Sequence, residues 1–304
     1  PRRVGSKARP NVILMITDDQ GYGDFGYVGN PVIKTPALDA MARQSAHMSH
    51  YYVSPVCAPT RACLMTGRYN YRTRAIDTWI GRAMMEPQEV TLAEMLSEAG
   101  YATGLFGKWH LGDNYPMRPQ DQGFDEVLMH RGGGIGQPAD PIGGEGKYTD
   151  PILMHNGKET QCKGYCTDIY FDSALAWMDK QVRADKNVFI YLPTNAPHGP
   201  FHDVPQDWYE HYKGMDLSST QFPQTTGHPL PKKQDTDKLA RIFAMISNID
   251  DNVSKLFTRL KKLGQLDNTL VIFMVDNGPN SRRYVAVLAG MKPNVHEGVV
   301  RSPL

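Results

Sequence analysis

Four short runs of apolar and β-branched residues stand out along the chain, and each breaks off abruptly into polar residues. Residues 11–17 (NVILMIT) run into Asp18, Asp19, Gln20 and Gly21, and residues 102–106 (ATGLF) run into Gly107, Lys108, Trp109 and His110. Residues 188–192 (VFIYL) lead to Pro193, Thr194, Asn195, Ala196, Pro197 and His198, and residues 269–275 (TLVIFMV) lead to Asp276, Asn277 and Gly278. Continuous apolar runs of this length, bounded by turn residues, predict buried strands. Each delivers charged groups, amides or imidazoles at its C-terminal end.

Between the strands the period changes to that of helices. Thr35-Pro36 precedes a helical pattern over 37–47, Thr91 with Glu94 forms a capping box before 95–99, and Thr167 precedes 168–182. The longest amphipathic segment is 237–263, with Leu239, Ile242, Phe243, Ile246, Ile249, Val253 and Leu256 on one stripe. Strands alternating with helices predict an α/β fold, a mostly parallel central sheet flanked by helices on both faces. In such sheets ligands bind beyond the carboxyl ends of the strands, so the four polar loops converge on one crevice. Gly- and Pro-rich stretches at 132–146 and 221–233 read as surface excursions within a single domain spanning 1–304, and as candidates for shaping a substrate site.

The 304 residues carry 33 Lys and Arg against 32 Asp and Glu, with no basic stripe, which argues against a nucleic-acid partner. No run reaches the roughly 18 apolar residues of a membrane span. Residues 1–10 are polar and basic with no apolar h-region, so the chain as given reads as soluble, any export signal having been removed or never existed. The four cysteines, Cys57, Cys63, Cys162 and Cys166, form no CxxC pair and are too few for a disulfide framework, which weakens zinc and thioredoxin-like readings.

Cys57 opens the string Cys57-Ala58-Pro59-Thr60-Arg61-Ala62-Cys63-Leu64-Met65-Thr66-Gly67-Arg68. Pro59 suits the first turn of a helix and places Cys57 at or near its N-cap, where free N–H groups and the helix dipole favour an anion. Alone, such a cysteine reads as a buried structural thiol. Asp18-Asp19 and Asp276-Asn277, at two strand ends, offer four oxygen-bearing side chains of the kind that hold Ca²⁺ or Mg²⁺. A single Asp there would read as a turn or cap residue. Arg61 lies four residues after Cys57, on the same helical face.

The string from Cys57 to Arg68 resembles the sulfatase signature, and Gly107-Lys108-Trp109-His110-Leu111-Gly112 and Ala196-Pro197-His198 resemble further segments of that family, in order, from Asn11 to Pro303. The resemblance implies an alkaline phosphatase-like fold and a sulfuric ester hydrolase. It implies that Cys57 is oxidised after synthesis to formylglycine by a formylglycine-generating enzyme. One hydroxyl of the hydrated aldehyde attacks sulfur, and the other loses its proton to expel sulfate. It implies one calcium ion held by Asp18, Asp19, Asp276, Asn277 and an oxygen of the modified Cys57. Lys108 then binds sulfate, Arg61 steadies the hydrate, His110 helps remove its proton, and His198 protonates the leaving alcohol.

Lys292 resembles the family's last sulfate-binding lysine, although Ala286-Val287-Leu288-Ala289 before it and Glu297-Gly298-Val299 after it depart from the glycine- and arginine-rich pattern of relatives. Relatives also continue into a C-terminal subdomain, which the resemblance leads us to expect and which this sequence does not include. The expected partners are a sulfated small molecule or carbohydrate, and the expected location, by analogy, is periplasmic, extracellular or cell-surface. Two other classes compete: a phosphonate or phosphodiester hydrolase on the same scaffold, and an inactive fragment that binds sulfated ligands. Trp79, Arg82, Arg131 and the run Gly132-Gly133-Gly134 are further residues that line a pocket or, equally, a surface loop. His47, His50, His155, His211 and His228 read as structural, and Cys63 as facing the core.

Overall fold

A computed structural model describes residues 9–79, 81–224 and 229–303. Most of the polar start, residues 225–228 with His228, Ile80 and Leu304 lie outside the described residues. In chain order the strands are β1 (Asn11–Thr17), β2 (Tyr51–Tyr52), β3 (Ala102–Lys108), β4 (Glu126–His130), β5 (Ile152–His155), β6 (Lys158–Gln161), β7 (Val188–Pro193), β8 (Thr269–Val275) and β9 (Arg301–Ser302). The helices are α1 (Pro36–Gln44), α2 (Cys57–Thr66), α3 (Asn70–Thr73), α4 (Leu92–Glu98), α5 (Cys166–Arg183), α6 (Gln206–Lys213), α7 (Thr236–Lys262) and α8 (Glu297–Val300).

Seven strands form one sheet in the order β6-β5-β4-β3-β7-β1-β8. The pairings from β4 to β8 are parallel, while β4–β5 and β5–β6 are antiparallel. The four strands legible in the sequence, β3, β7, β1 and β8, are contiguous in this order. Their polar C-terminal ends therefore lie side by side along one edge of the sheet.

The sheet is covered on both faces because its strands are apolar on both. Along β1, Ile13 and Met15 pack with Phe171 of α5, Tyr212 of α6 and Phe243 and Ile246 of α7. Leu14 and Ile16 pack with Ala58, Ala62 and Met65 of α2 and Ala93 of α4 on the opposite face. Each large apolar side chain so buried contributes about 1.5–3 kcal/mol, and the alternation fixes which helices lie on which side.

Two helix starts are capped by polar side chains. In α4, Glu94 N–H donates to Thr91 Oγ1 at 3.1 Å and Thr91 N–H to Glu94 Oε2 at 2.7 Å, the reciprocal capping box. At α1 the cap comes from afar: Asp250, buried on α7, accepts from the N–H groups of Ala37 (3.0 Å) and Leu38 (2.7 Å).

The pattern over 37–47 closes early, at Gln44, where Ser45 becomes extended and its hydroxyl donates to Met41 O at 2.7 Å. A larger correction concerns Cys63. It does not face the core but is half-buried, lining a groove with Tyr51, Leu64, Arg68 and Tyr69, because six residues after Cys57 the helix has turned to its other side.

Candidate active site

β1 delivers Asp18 and Asp19, β8 delivers Asp276 and Asn277, β3 delivers Lys108 and His110, and the loop after β7 delivers His198. Backbone bonds hold these loops together: Asp276 N–H donates to Thr17 O (3.0 Å), Thr194 N–H to Ile16 O (2.9 Å) and Asp18 N–H to Ala196 O (3.3 Å). Asp19 sits at φ 64°, a left-handed conformation that Asp tolerates better than most residues and that turns two successive carboxylates into the crevice. Gly107, at φ 141°, lets the end of β3 pass β7: a Cβ there would lie 1.9 Å from Pro193 O.

α2 enters from the opposite face. Val56 is its extended N-cap and Cys57 its first residue, so Pro59 occupies the first turn and the buried thiol lies at the helix N-terminus. Thr60 Oγ1 donates to Asp276 O at 2.6 Å, locking this helix to β8. Arg61, without solvent exposure, donates through Nε (3.2 Å) and Nη2 (2.8 Å) to Asp276 Oδ2, through Nη2 to Asp18 Oδ2 (3.4 Å) and through Nη1 to Lys108 O (2.8 Å). Its fork is thus committed to the carboxylates and to the backbone of β3.

Two lysines complete the charge pattern. Lys108 Nζ bonds Asp18 Oδ2, and Lys292 Nζ donates to Asp19 Oδ1 at 2.7 Å while lying 3.6 Å from Cys57 Sγ. Asp19 also accepts from Asn277 Nδ2 (2.7 Å) and Asn280 Nδ2 (3.1 Å), and His198 Nε2 lies 3.6 Å from its Oδ2. Three carboxylates, Asp18, Asp19 and Asp276, thereby face three cations, Arg61, Lys108 and Lys292.

Burial opposes ionisation throughout, and the neighbours decide the outcome. Asp19 overcomes its desolvation through Lys292, His198 and Asn277 and is held well below the usual carboxylate range; Asp18 is lowered likewise, chiefly by Lys108. Asp276, desolvated and close to the Asp18 charge, is pushed up to about 7 despite Arg61. Burial, then Lys108 and Arg61, pushes His110 well below its ordinary value, so its imidazole is neutral near pH 7. Lys292 is raised by Cys57 and by the carboxylates, and stays charged.

A cation fits this donor set. Asp18 Oδ1 and Asn277 Oδ1 are buried with no hydrogen-bond partner, an arrangement that costs about 1–3 kcal/mol per group unless something else pairs them. One ligand atom each of Asp18, Cys57 and Asp276 lie within 4.8 Å of one another, as do those of Asp18, Asp19 and His198. Hard oxygen donors of this kind suit a calcium-like ion.

All the sequence-derived residues, Cys57, Arg61, Lys108, His110, His198, Lys292, Asp18, Asp19, Asp276 and Asn277, fall in this one crevice. Gly133 and Gly134 join them, packed against His110 and His198. Trp79 is instead exposed, Arg82 pairs with Asp77 and Arg131 with Glu159 at the surface. Sequence reasoning missed Thr60, whose hydroxyl reads as an ordinary helix residue, and Asn280, whose relation to Asp19 exists only once the loop after β8 folds back.

A sequence model described as Sulfatase matches residues 10–304. The chain is 31% identical to an arylsulfatase of Klebsiella aerogenes, over 91% of this chain and 68% of that protein. It is 30% identical to the N-acetylgalactosamine-6-sulfatase of Homo sapiens, over 90% of this chain and 51% of that protein. The crystal structure of Ps i-CgsB in complex with k-i-k-neocarrahexaose superposes with a TM-score of 0.81 at 31% identity, covering 97% of this chain and 65% of that one. The chain thus spans about half to two thirds of the length of these relatives.

Proposed function

The chain belongs to the sulfatase family, and from that premise we propose that it hydrolyses sulfate monoesters, with Cys57 converted to formylglycine and one calcium ion held by Asp18, Asp19, Asp276 and Asn277. The observation that carries this reading is the placement of Cys57 at the N-terminus of α2, 3.6 Å from the Lys292 ammonium and within reach of Asp18 and Asp276. Once converted and hydrated, this residue supplies one hydroxyl to attack sulfur and a second whose deprotonation expels sulfate. A calcium ion held by Asp18, Asp19, Asp276 and Asn277 would supply positive charge to stabilise the anionic sulfate and the deprotonated hydroxyl.

The remaining residues have roles that follow from their surroundings. Arg61 is spent on Asp18, Asp276 and the β3 backbone, so it orders the metal ligands and does not meet the substrate as a free donor. Lys108 and Lys292 bind the sulfate oxygens, where negative charge builds up in the transition state. His110, neutral and buried, takes a proton from the hydrate. His198, on the loop after β7 and partly exposed, protonates the departing alcohol. The three carboxylates and three cations cancel formally, so a bound Ca²⁺ leaves the crevice positive for an anionic ester. The complex of Ps i-CgsB with k-i-k-neocarrahexaose supports a carbohydrate ester as the substrate.

Maturation requires a formylglycine-generating enzyme, and the extracellular nature of most sulfated polymers favours an exported protein. Among the described residues no helix is long and apolar enough to cross a membrane. Peptide mass spectrometry across Cys57, after co-expression with such an enzyme and alongside an aryl sulfate assay in calcium, tests the reading. Loss of the thiol mass with release of sulfate is the expected result. Conversion without turnover of any sulfate ester, with turnover of a phosphonate ester instead, overturns it.

A further inference from the structure

Resting on that reading, the loop between β4 and β5 has a role that its glycine content alone does not reveal. A Cβ on Gly133 would lie 2.8 Å from Cε1 and Nε2 of His110, and one on Gly134 would lie 3.0 Å from Cε1 and 3.1 Å from Nδ1 of His198. A side chain at Gly133 would have to displace His110 or Gln137, and one at Gly134 would push His198 aside by a few tenths of an ångström. The two imidazoles therefore rest against one stretch of bare backbone, which fixes where each can sit.

The stretch is anchored at both ends by carboxylates. Asp113, three residues after His110, accepts from Gly132 N–H through both oxygens (3.2 and 3.0 Å). Asp140 accepts from Gly136 N–H at 2.7 Å through Oδ2, and its Oδ1 bonds Nε2 of His130 at 2.5 Å. His130 is 3% exposed at the end of β4, so its imidazole ties the loop to the sheet and not to solvent. Gln137 closes the turn, its backbone carbonyl accepting from Asp140 N–H at 2.9 Å and its side-chain amide lying over the same two glycines.

We propose that Gly133 and Gly134, clamped by Asp113 and by the Asp140–His130 pair, are positioning residues that set the places of the His110 and His198 imidazoles in the reaction. A displacement of about 1 Å in a reacting group costs on the order of 10²-fold in rate, so the clamp matters although none of its side chains touches the ester.

The test combines kinetics with a readout that needs no turnover. Gly134→Ala moves His198, and the expected loss in kcat is about 10²-fold for an alkyl or sugar sulfate, clearly smaller for an aryl sulfate, with KM within about threefold. Asp140→Ala shows the same split, whereas Asp140→Asn, whose amide oxygen still accepts from Gly136 N–H, recovers most of the rate. In the unconverted protein the imidazole NMR signals of His198 shift in Gly134→Ala and Asp140→Ala, and those of His110 shift in Gly133→Ala. Unmoved imidazole signals, or equal losses on both ester classes that merely track lowered stability, overturn the proposal. Wild-type protein that is converted yet inert on every sulfate ester overturns the underlying function instead, and the NMR result still decides the positioning role.

Discussion

The ammonium of Lys292 lies 3.6 Å from the sulfur of Cys57. These residues stand 235 positions apart, on α2 and on the loop after β8, and only the packing of α2 beneath the sheet brings them together. The same ammonium donates to Asp19, so the lysine links the nucleophile position to the metal ligands. Lys292→Ala is expected to lower kcat/KM on an aryl sulfate by about 10²–10³-fold with an unchanged circular-dichroism spectrum. Lys292→Arg should not restore it, since a planar fork cannot replace a point charge in so confined a space.

Arg61 is a structural test of the crevice. It is fully buried and neutralises Asp18 and Asp276. Arg61→Met leaves Asp276 without a cationic partner while Lys108 still holds Asp18, and should destabilise the metal-free protein by about 3–5 kcal/mol, measured as a lower denaturant midpoint. Simultaneous Asp276→Asn should return part of that loss, because the charge that Arg61 balanced is then gone.

Calcium and protons compete for the same oxygens. Asp276 is pushed up to about 7 from 3.8, so its contribution to the stability of the metal-free fold is complete below about pH 4 and lost as pH rises through 7. Bound calcium requires the carboxylate, which reverses the trend. The melting temperature should rise on adding calcium, by the equivalent of about 2.7 kcal/mol at a hundredfold excess over Kd, and calcium affinity should weaken as pH falls below 7. Asp18→Asn should abolish the shift. A calcium-independent melting curve would sink the four-ligand assignment.

His198 differs from His110 in exposure and partners. His198→Ala should depress alkyl sulfate turnover far more than aryl sulfate turnover, because only a poor leaving group depends on protonation. His110→Ala should depress both alike. A pair of parallel losses for His198 would remove it from the acid role.

The local grammar of the chain already contained much of this. Unbroken apolar runs ending in polar residues gave β1, β3 and β7, because a strand buried on both faces holds few polar positions until it leaves the sheet; the same run gave β8, yet that strand lies at the edge of the sheet and only Met274 and Val275 are fully buried. The capping box gave the start of α4, and the stripe from Leu239 to Leu256 gave α7. Strands β4, β5 and β6 were not legible: β6 (KETQ), at the edge of the sheet, is polar and largely exposed, and its pairing depends on the neighbouring strand and not on its own pattern.

The residue types of the site were likewise fixed locally, as were the order of its motifs and the strand ends that carry them. What folding alone decided was their mutual distance and charge state. No spacing in the chain tells that Arg61 would be absorbed by Asp18 and Asp276, that Asp250 would cap α1 from another helix, or that Gly133 and Gly134 would lie against His110 and His198. Those relations arise between segments far apart in sequence, where burial strips away water and leaves each polar group only the partners that packing brings within reach.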